Sequence, residues 1–282
     1  MIGGSHLESP VAVSNIDGDI DEFARQYGRF ASVMGEDSGL TLSYDPEKGL
    51  LVKGDNLSAP VNAEDVEDAS VFVEQYNSAS AAIGDSGLSL SYDKEKGLMI
   101  GGGELSSPVA VSEIADGDVK GFVSDYKAAS SAKGLEGSGL KLEFDASVGR
   151  LVLSGDDLEN SVAVRDIKDI DSFVKQYKSV SDDISEDSGL KLAYDAEKGL
   201  MVTGEALSES IAVSEVDDIK SFVKQYKETA GELGESGLKL DYEKGKGLLL
   251  SGENLESPIA VSDVKNIKQH YEIGRASCRE RV

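Results

Sequence analysis

The chain has 282 residues, 53 acidic and 28 basic side chains, and a formal net charge of −25. That surface argues against nucleic acid and anionic membranes as partners, because both need a basic face to meet their phosphates. One cysteine and two histidines leave no disulfide framework, no thiolate zinc site and little for histidine chemistry, and no apolar run approaches the ~18 residues of a spanning helix.

Three phrases recur along the chain. G-L-x-L-x-[YF] places its first leucine at Leu40, Leu88, Leu140, Leu190 and Leu238, at intervals of 48, 52, 50 and 48 residues. L-x-x-[PS]-[VI]-A-V-S starts at Leu7, Leu105, Leu207 and Leu255, with variants at Leu57 and Leu158. D-I-x-x-F-V-x-Q-Y is clearest around Phe173 and Phe222. Self-similarity at a fixed period marks a repeat architecture. It divides the chain into a partial repeat (1–39), repeats 40–87, 88–139, 140–189 and 190–237, a truncated repeat (238–272) and a tail (273–282).

Each copy reads in order as a hairpin, a third strand and a helix. In Leu40–Tyr44, Leu40, Leu42 and Tyr44 share one face while Thr41 and Ser43 share the other. Strict alternation predicts a half-buried strand of an antiparallel sheet. The turns Asp45–Gly49 and Asp195–Gly199 follow, with Asp able to accept from backbone amides and Gly suited to the left-handed closing position. Return strands are expected at Leu50–Val52, Leu98–Ile100, Leu151–Leu153, Leu200–Val202 and Leu248–Leu250.

Next, Val11/Val13, Val109/Val111, Val162/Val164, Ile211/Val213 and Ile259/Val261 predict a third short strand, opened in four copies by Pro10, Pro60, Pro108 or Pro258. Ser14, Ser112, Ser214 and Ser262 are expected as helix N-caps. The stripe Ile167, Ile170, Phe173, Val174 and Tyr177 predicts an amphipathic helix. The expected fold is therefore α+β, tandem repeats stacked with strands on one side and helices on the other. A unit of 48 residues is small for independent folding, so neighbours should share buried surface.

Both ends invite comment. Ile273–Val282 breaks the repeat and resembles the translated read-through of a short-read sequencing adapter, so the tail is expected not to be native. Met1–Ser14 aligns with Met99–Ser112, so the chain opens at a return strand. Met1 is then either an internal methionine of a longer reading frame or the start of a native half-repeat cap.

Candidate chemistry is sparse. Asp45, Glu47 and Asp55, or Asp195, Glu197 and Glu205, offer oxygen ligands to calcium, but Lys48, Lys96 and Lys198 sit in the same turns and the hairpin needs the Asp in any case. Asn15–Phe23 resembles an EF-hand loop only superficially: the register puts Val13 and Ala24 at ligand positions, and the repeat makes the segment a helix start. Gly101–Gly103 lacks the Lys-Ser/Thr of a phosphate loop and reads as a local bulge. Tyr27, Tyr76, Tyr126, Tyr177 and Tyr226 lie on the apolar helical stripe, with Tyr271 off register. His6 and His270 have no repeated polar partner, which leaves no Ser-His-Asp set. Asn56-Leu57-Ser58 is a single glycosylation sequon.

The charge is spread evenly: residues 190–237 carry ten acidic and five basic side chains. Similar copies without a copy-specific polar set point to a non-enzymatic structural or multivalent binding protein, a spacer, matrix or adhesive array. No catalytic, cofactor or metal residues are assigned, and protein partners or self-assembly are expected. The alternative is a calcium-responsive module built on the acidic turns. Localisation is open, with an extracellular setting the one multivalency favours.

Overall fold

The computed structural model describes residues 1–264 apart from 17–19, 185, 235 and 254. The hairpins are β1–β2 (Leu40–Asp45, Gly49–Gly54), β4–β5 (Ser89–Asp93, Gly97–Gly101), β7–β8 (Lys141–Asp145, Arg150–Ser154), β10–β11 (Leu190–Asp195, Gly199–Gly204) and β13–β14 (Lys239–Glu243, Gly247–Ser251). Each gains a two-residue third strand: β3 (Val61–Asn62), β6 (Val109–Ala110), β9 (Val162–Ala163), β12 (Ile211–Ala212) or β15 (Ile259–Ala260). The helices are α1 (Ile20–Ala31), α2 (Ala69–Ile83), α3 (Val119–Ser130), α4 (Ile170–Ser181) and α5 (Ile219–Leu233). Five three-stranded antiparallel sheets and five helices among the described residues make an α+β tandem repeat.

The chain divides into two compact units, Met1–Ser130 with Leu142–Leu151, and Ser131–Lys141 with Val152–Val282. In the first, Leu42 faces Val52 across β1–β2; in the second, Leu192 faces Val202 across β10–β11. All four are fully buried, as period-two alternation demands. The return strand departs from alternation: Leu50, Leu51 and Val52 are all buried. Leu51 points to the opposite face from Leu50 and Val52, so both faces of this central strand are covered.

The hairpin turns follow from their sequence. Asp45 Oδ1 accepts from the N–H groups of Glu47 (2.8 Å) and Lys48 (3.0 Å), and Gly49 closes the turn at φ +80°, which any side chain would resist. The turn of β7–β8 is one residue longer, running from Asp145 to Arg150 rather than from Asp45 to Gly49. There Gly149 takes the positive φ and Arg150 stands where the other copies carry glycine.

Three expectations are corrected. The third strand is only two residues long; Val111, Val164, Val213 and Val261 each begin a 3-10 turn instead. Ser14, Ser112, Ser214 and Ser262 lie within such turns and cap no helix. The caps are Asp68, Asp169 and Asp218, whose carboxylates accept from Ser70 and Val71, from Ser172 and from Ser221. The physical reason is one of length, since the chain needs a 3-10 turn and an extended step to leave the sheet before it can enter the helix. Gly101–Gly103 forms no bulge. Ser89 to Gly101 pair in unbroken register, and Leu105 N–H donates to Gly102 C=O (3.0 Å), as Leu57 does to Gly54.

Each helix packs on the hairpin that follows it, and α2 to α5 also on the one before. Its phenylalanine meets the strand aromatic of the following hairpin edge to face: Phe23 with Tyr44, Phe72 with Tyr92, Phe122 with Phe144, Phe173 with Tyr194 and Phe222 with Tyr242. Its tyrosine turns back to the preceding hairpin. The Tyr226 hydroxyl accepts from Ala206 N–H (3.2 Å), and that of Tyr126 accepts weakly from Glu104 N–H (3.4 Å). Tyr76, Tyr126, Tyr177 and Tyr226 are buried, whereas Tyr27 is half-buried. Phe173, Val174, Tyr177 and Val180 form the buried stripe of α4, the spacing expected of an amphipathic helix.

Candidate functional site

The feature that recurs most faithfully is the joint between consecutive copies. After each return strand a tight turn presents a leucine, which bridges in parallel to the first strand of the next hairpin. Leu7 pairs Leu42, Leu57 pairs Leu90 and Leu105 pairs Leu142 in the first unit; Leu158 pairs Leu192 and Leu207 pairs Leu240 in the second. At the first joint Glu8 N–H donates to Leu42 C=O (2.9 Å) and Leu42 N–H to His6 C=O (2.8 Å). The same two bonds join Ser58 and Asn56 to Leu90, Glu159 and Asp157 to Leu192, and Ser208 and Ala206 to Leu240. Backbone groups at a strand edge are thereby satisfied by the neighbouring copy.

Side chains add a second layer. Where the residue after the leucine is Glu, it reaches a threonine of the next hairpin. Glu8 accepts from Thr41 Oγ1 (3.1 Å) and Lys53 Nζ (2.7 Å), and Thr41 faces Lys53. The Lys53 ammonium holds the Glu8 carboxyl below the usual carboxylate range. At the fourth joint Thr203 donates to Glu159, while Lys191, which faces Thr203 across the hairpin, donates instead to Asp156 C=O (3.3 Å). Where the residue is Ser, it bonds backbone or a short acid instead: Ser106 Oγ donates to Leu142 C=O (3.1 Å), and Ser208 contacts Asp241.

Beside the joint lies a shallow groove between the third-strand segment of one copy and the following hairpin. In the first unit it encloses about 570 Å³ and is lined by Glu8, Pro10, Tyr44, Asp45, Lys48 and Lys53, among others. In the second it encloses about 300 Å³, bordered by Lys198, Met201, Ser208, Glu209, Asp241 and Tyr242. A larger cavity of about 730 Å³ lies beside Tyr226, Glu159 and Thr203. The first two share the third-strand segment and the first strand of the following hairpin, but the first extends over that hairpin to Lys48 and Lys53 and the second over its own copy's hairpin to Lys198 and Met201.

The acidic turns do not converge. The Oδ1 atoms of Asp45, Asp93 and Asp195 each accept two backbone N–H groups of their own turn. Those amides hold the carboxyls of Asp93 and Asp195 below their ordinary range. Glu47, Asp55, Glu197 and Glu205 are exposed. Among the described residues no group of three or more His, Cys, Asp or Glu is placed to hold a metal ion, and no helix is long and apolar enough to cross a membrane.

The EF-hand-like segment divides between a 3-10 turn at Val13–Asn15 and α1, and its residues 17–19 lie outside the described residues, as do His270, Tyr271 and the tail 273–282. His6 contributes its backbone carbonyl to the first joint. Asn56 of the sequon is half-buried and donates through Nδ2 to Ser80 Oγ (2.7 Å). Sequence reading missed Glu8, Glu159 and Ser208. Their signal was present, since a Glu after the leucine accompanies Thr and Lys at the second and second-to-last positions of the next hairpin. No protein-family model, curated protein or solved structure matches this chain.

Proposed function

We propose that this chain is a non-enzymatic structural protein whose copies repeat one interaction surface, acting as a spacer or adhesive array with several equivalent contacts. The groove between third strand and next hairpin carries this reading, because the same segments form it in both units, Glu8–Ala12 beside Ser43 and Tyr44 in one and Ser208–Ala212 beside Asp241 and Tyr242 in the other. An enzyme concentrates unlike polar groups in one pocket, whereas here the same residue types return at the period of the repeat. Evenly spread negative charge keeps such copies from clumping, and several weak equivalent contacts add up to a slow release.

Cross-linking mass spectrometry of the full chain with its protein partners tests the proposal. Corresponding lysines of several copies, Lys48, Lys96 and Lys198, are expected to link to one and the same partner. Cross-links confined to a single copy would instead identify a copy-specific site and sink the multivalent reading.

A further inference from the structure

The third joint, Leu105 with Leu142, is tied more loosely than its siblings. At the first, second, fourth and fifth joints the strand leucine both donates and accepts across the edge, at 2.8–2.9 Å. At the third, Ser106 N–H reaches Leu142 C=O at 3.3 Å, and among the described residues the reciprocal bond from Leu142 N–H to Glu104 C=O is not formed. Ser106 Oγ supports the same carbonyl (3.1 Å), so the amide side alone falls short. Leu142 is nonetheless buried, and its N–H gains little from solvent in exchange.

The other holds on this hairpin are looser too. Phe122 and Phe144 form the widest of the described helix-to-hairpin ring pairs, 6.2 Å between centroids against 5.4–5.7 Å elsewhere. Phe144 also lacks the hydroxyl through which Tyr92 bonds Asp65 C=O (3.2 Å) and Tyr242 accepts from Asp217 N–H (3.0 Å). A compensating bond runs from Ala115 N–H to Gly149 C=O (3.0 Å). Across the joint the turn itself differs. Gly103 stands where sibling turns carry Asp55, Asp156 and Glu205. Gly102 and Gly103 take φ of +145° and +32°, whereas Gly54, Gly155 and Gly204 stay out of positive φ. Two consecutive glycines in such conformations give the turn more freedom, and less hold on the leucine edge that it carries.

We propose that the third joint is the opening point of the array: the edge between Leu105 and Leu142 releases before the other joints, and the Gly102–Gly103 turn sets that order. The array thereby yields at one preset joint, baring the strand edge at Leu142 while those at Leu42, Leu90, Leu192 and Leu240 stay covered. The device is independent of what the repeated grooves bind.

Hydrogen exchange of the full chain, followed residue by residue by NMR, tests this. After correction for intrinsic rates, the amides of Leu142 and Ser106 are expected to exchange about five- to tenfold faster than those of Leu90 and Ser58, the range that one hydrogen bond supports. Both should speed up alike in dilute urea, the mark of one shared opening rather than of a single poorly made bond. Gly103→Glu combined with Glu104→Ala installs the residues of the Glu205–Ala206 turn, and should slow both amides to the rates at Leu90 and Ser58. The comparison within the unaltered chain stands whatever the stability of that variant. Equal protection at the second and third joints, unlike urea dependence at Leu142 and Ser106, or unchanged exchange in the folded variant would overturn the proposal.

Discussion

Phe173 on α4 and Tyr194 on β10 meet edge to face, their ring centroids 5.4 Å apart and their planes at 86°. The helix follows one hairpin in sequence and packs through this pair on the next, so a copy covers the ring of Phe173 only with its successor in place. Phe173 is 3% exposed, and truncating it removes both the ring contact and the buried area. Phe173→Ala is expected to cost about 3–5 kcal/mol, whereas the neighbouring exposed Lys175→Ala should change little. Chemical denaturation of both variants checks this, and equal losses would contradict the assigned face.

The same pair predicts how fragments behave. Residues 140–188 keep α4 but lose β10–β11, which exposes Phe173 and leaves the edge at Leu158 unpaired. That fragment should be unfolded or marginal, and residues 131–264 should melt cooperatively. A single copy that melts as sharply and as high as the longer fragment would mean that the joints contribute nothing.

Tyr226 and Tyr76 are sibling positions with different surroundings. Both are buried, but the Tyr226 hydroxyl accepts from the N–H of Ala206 at 3.2 Å, while that of Tyr76 has no hydrogen-bond partner. Tyr226→Phe should therefore cost about 1 kcal/mol, and Tyr76→Phe should be neutral or stabilising, because it removes a buried polar atom that nothing satisfies. Thermal melts of the two variants compare them directly.

Gly204 and Gly231 should respond oppositely to alanine. A Cβ at Gly204 would lie 2.6 Å from the Tyr226 hydroxyl and 2.8 Å from Leu190 Cδ2, so Gly204→Ala should lose about 1–3 kcal/mol by overpacking. Gly231 sits exposed within α5 with open space around its Cα. Gly231→Ala should gain about 0.5–1 kcal/mol through helix propensity. Two losses would show that the space at Gly231 is filled.

The turn carboxylates make stability depend on pH. Backbone N–H groups of Lys198 and Glu197 hold Asp195 below its ordinary range. A depressed folded-state pKa contributes stability above the unfolded value near ~3.9 and loses it as pH falls through the folded value. Asp195→Ala should therefore lower the melting temperature at neutral pH, with the gap closing progressively below about pH 4. A gap that stays constant into strong acid would show that the charge of Asp195 is irrelevant to the turn.

The sequence by itself determined the period, the polar and apolar faces of the first strand, the Asp–Gly hairpin turns and the buried stripe of each helix. These are local: a residue's side of a strand follows from parity, its side of a helix from steps of three and four, and a turn from the φ its glycine allows. Tertiary structure decided the rest. It covered both faces of the return strand, so Leu51 is buried where alternation alone would expose it. It moved the helix caps from Ser to Asp, because the chain must first clear the sheet. Above all it decided which hairpin each helix serves. A periodic sequence reads the same wherever a copy is cut, so pattern cannot say whether Phe173 belongs with the hairpin before it or after it. Nor can pattern pair Glu8 with Lys53 or Glu159 with Thr203, since those partners come together only when the leucine edge of one copy finds the first strand of the next.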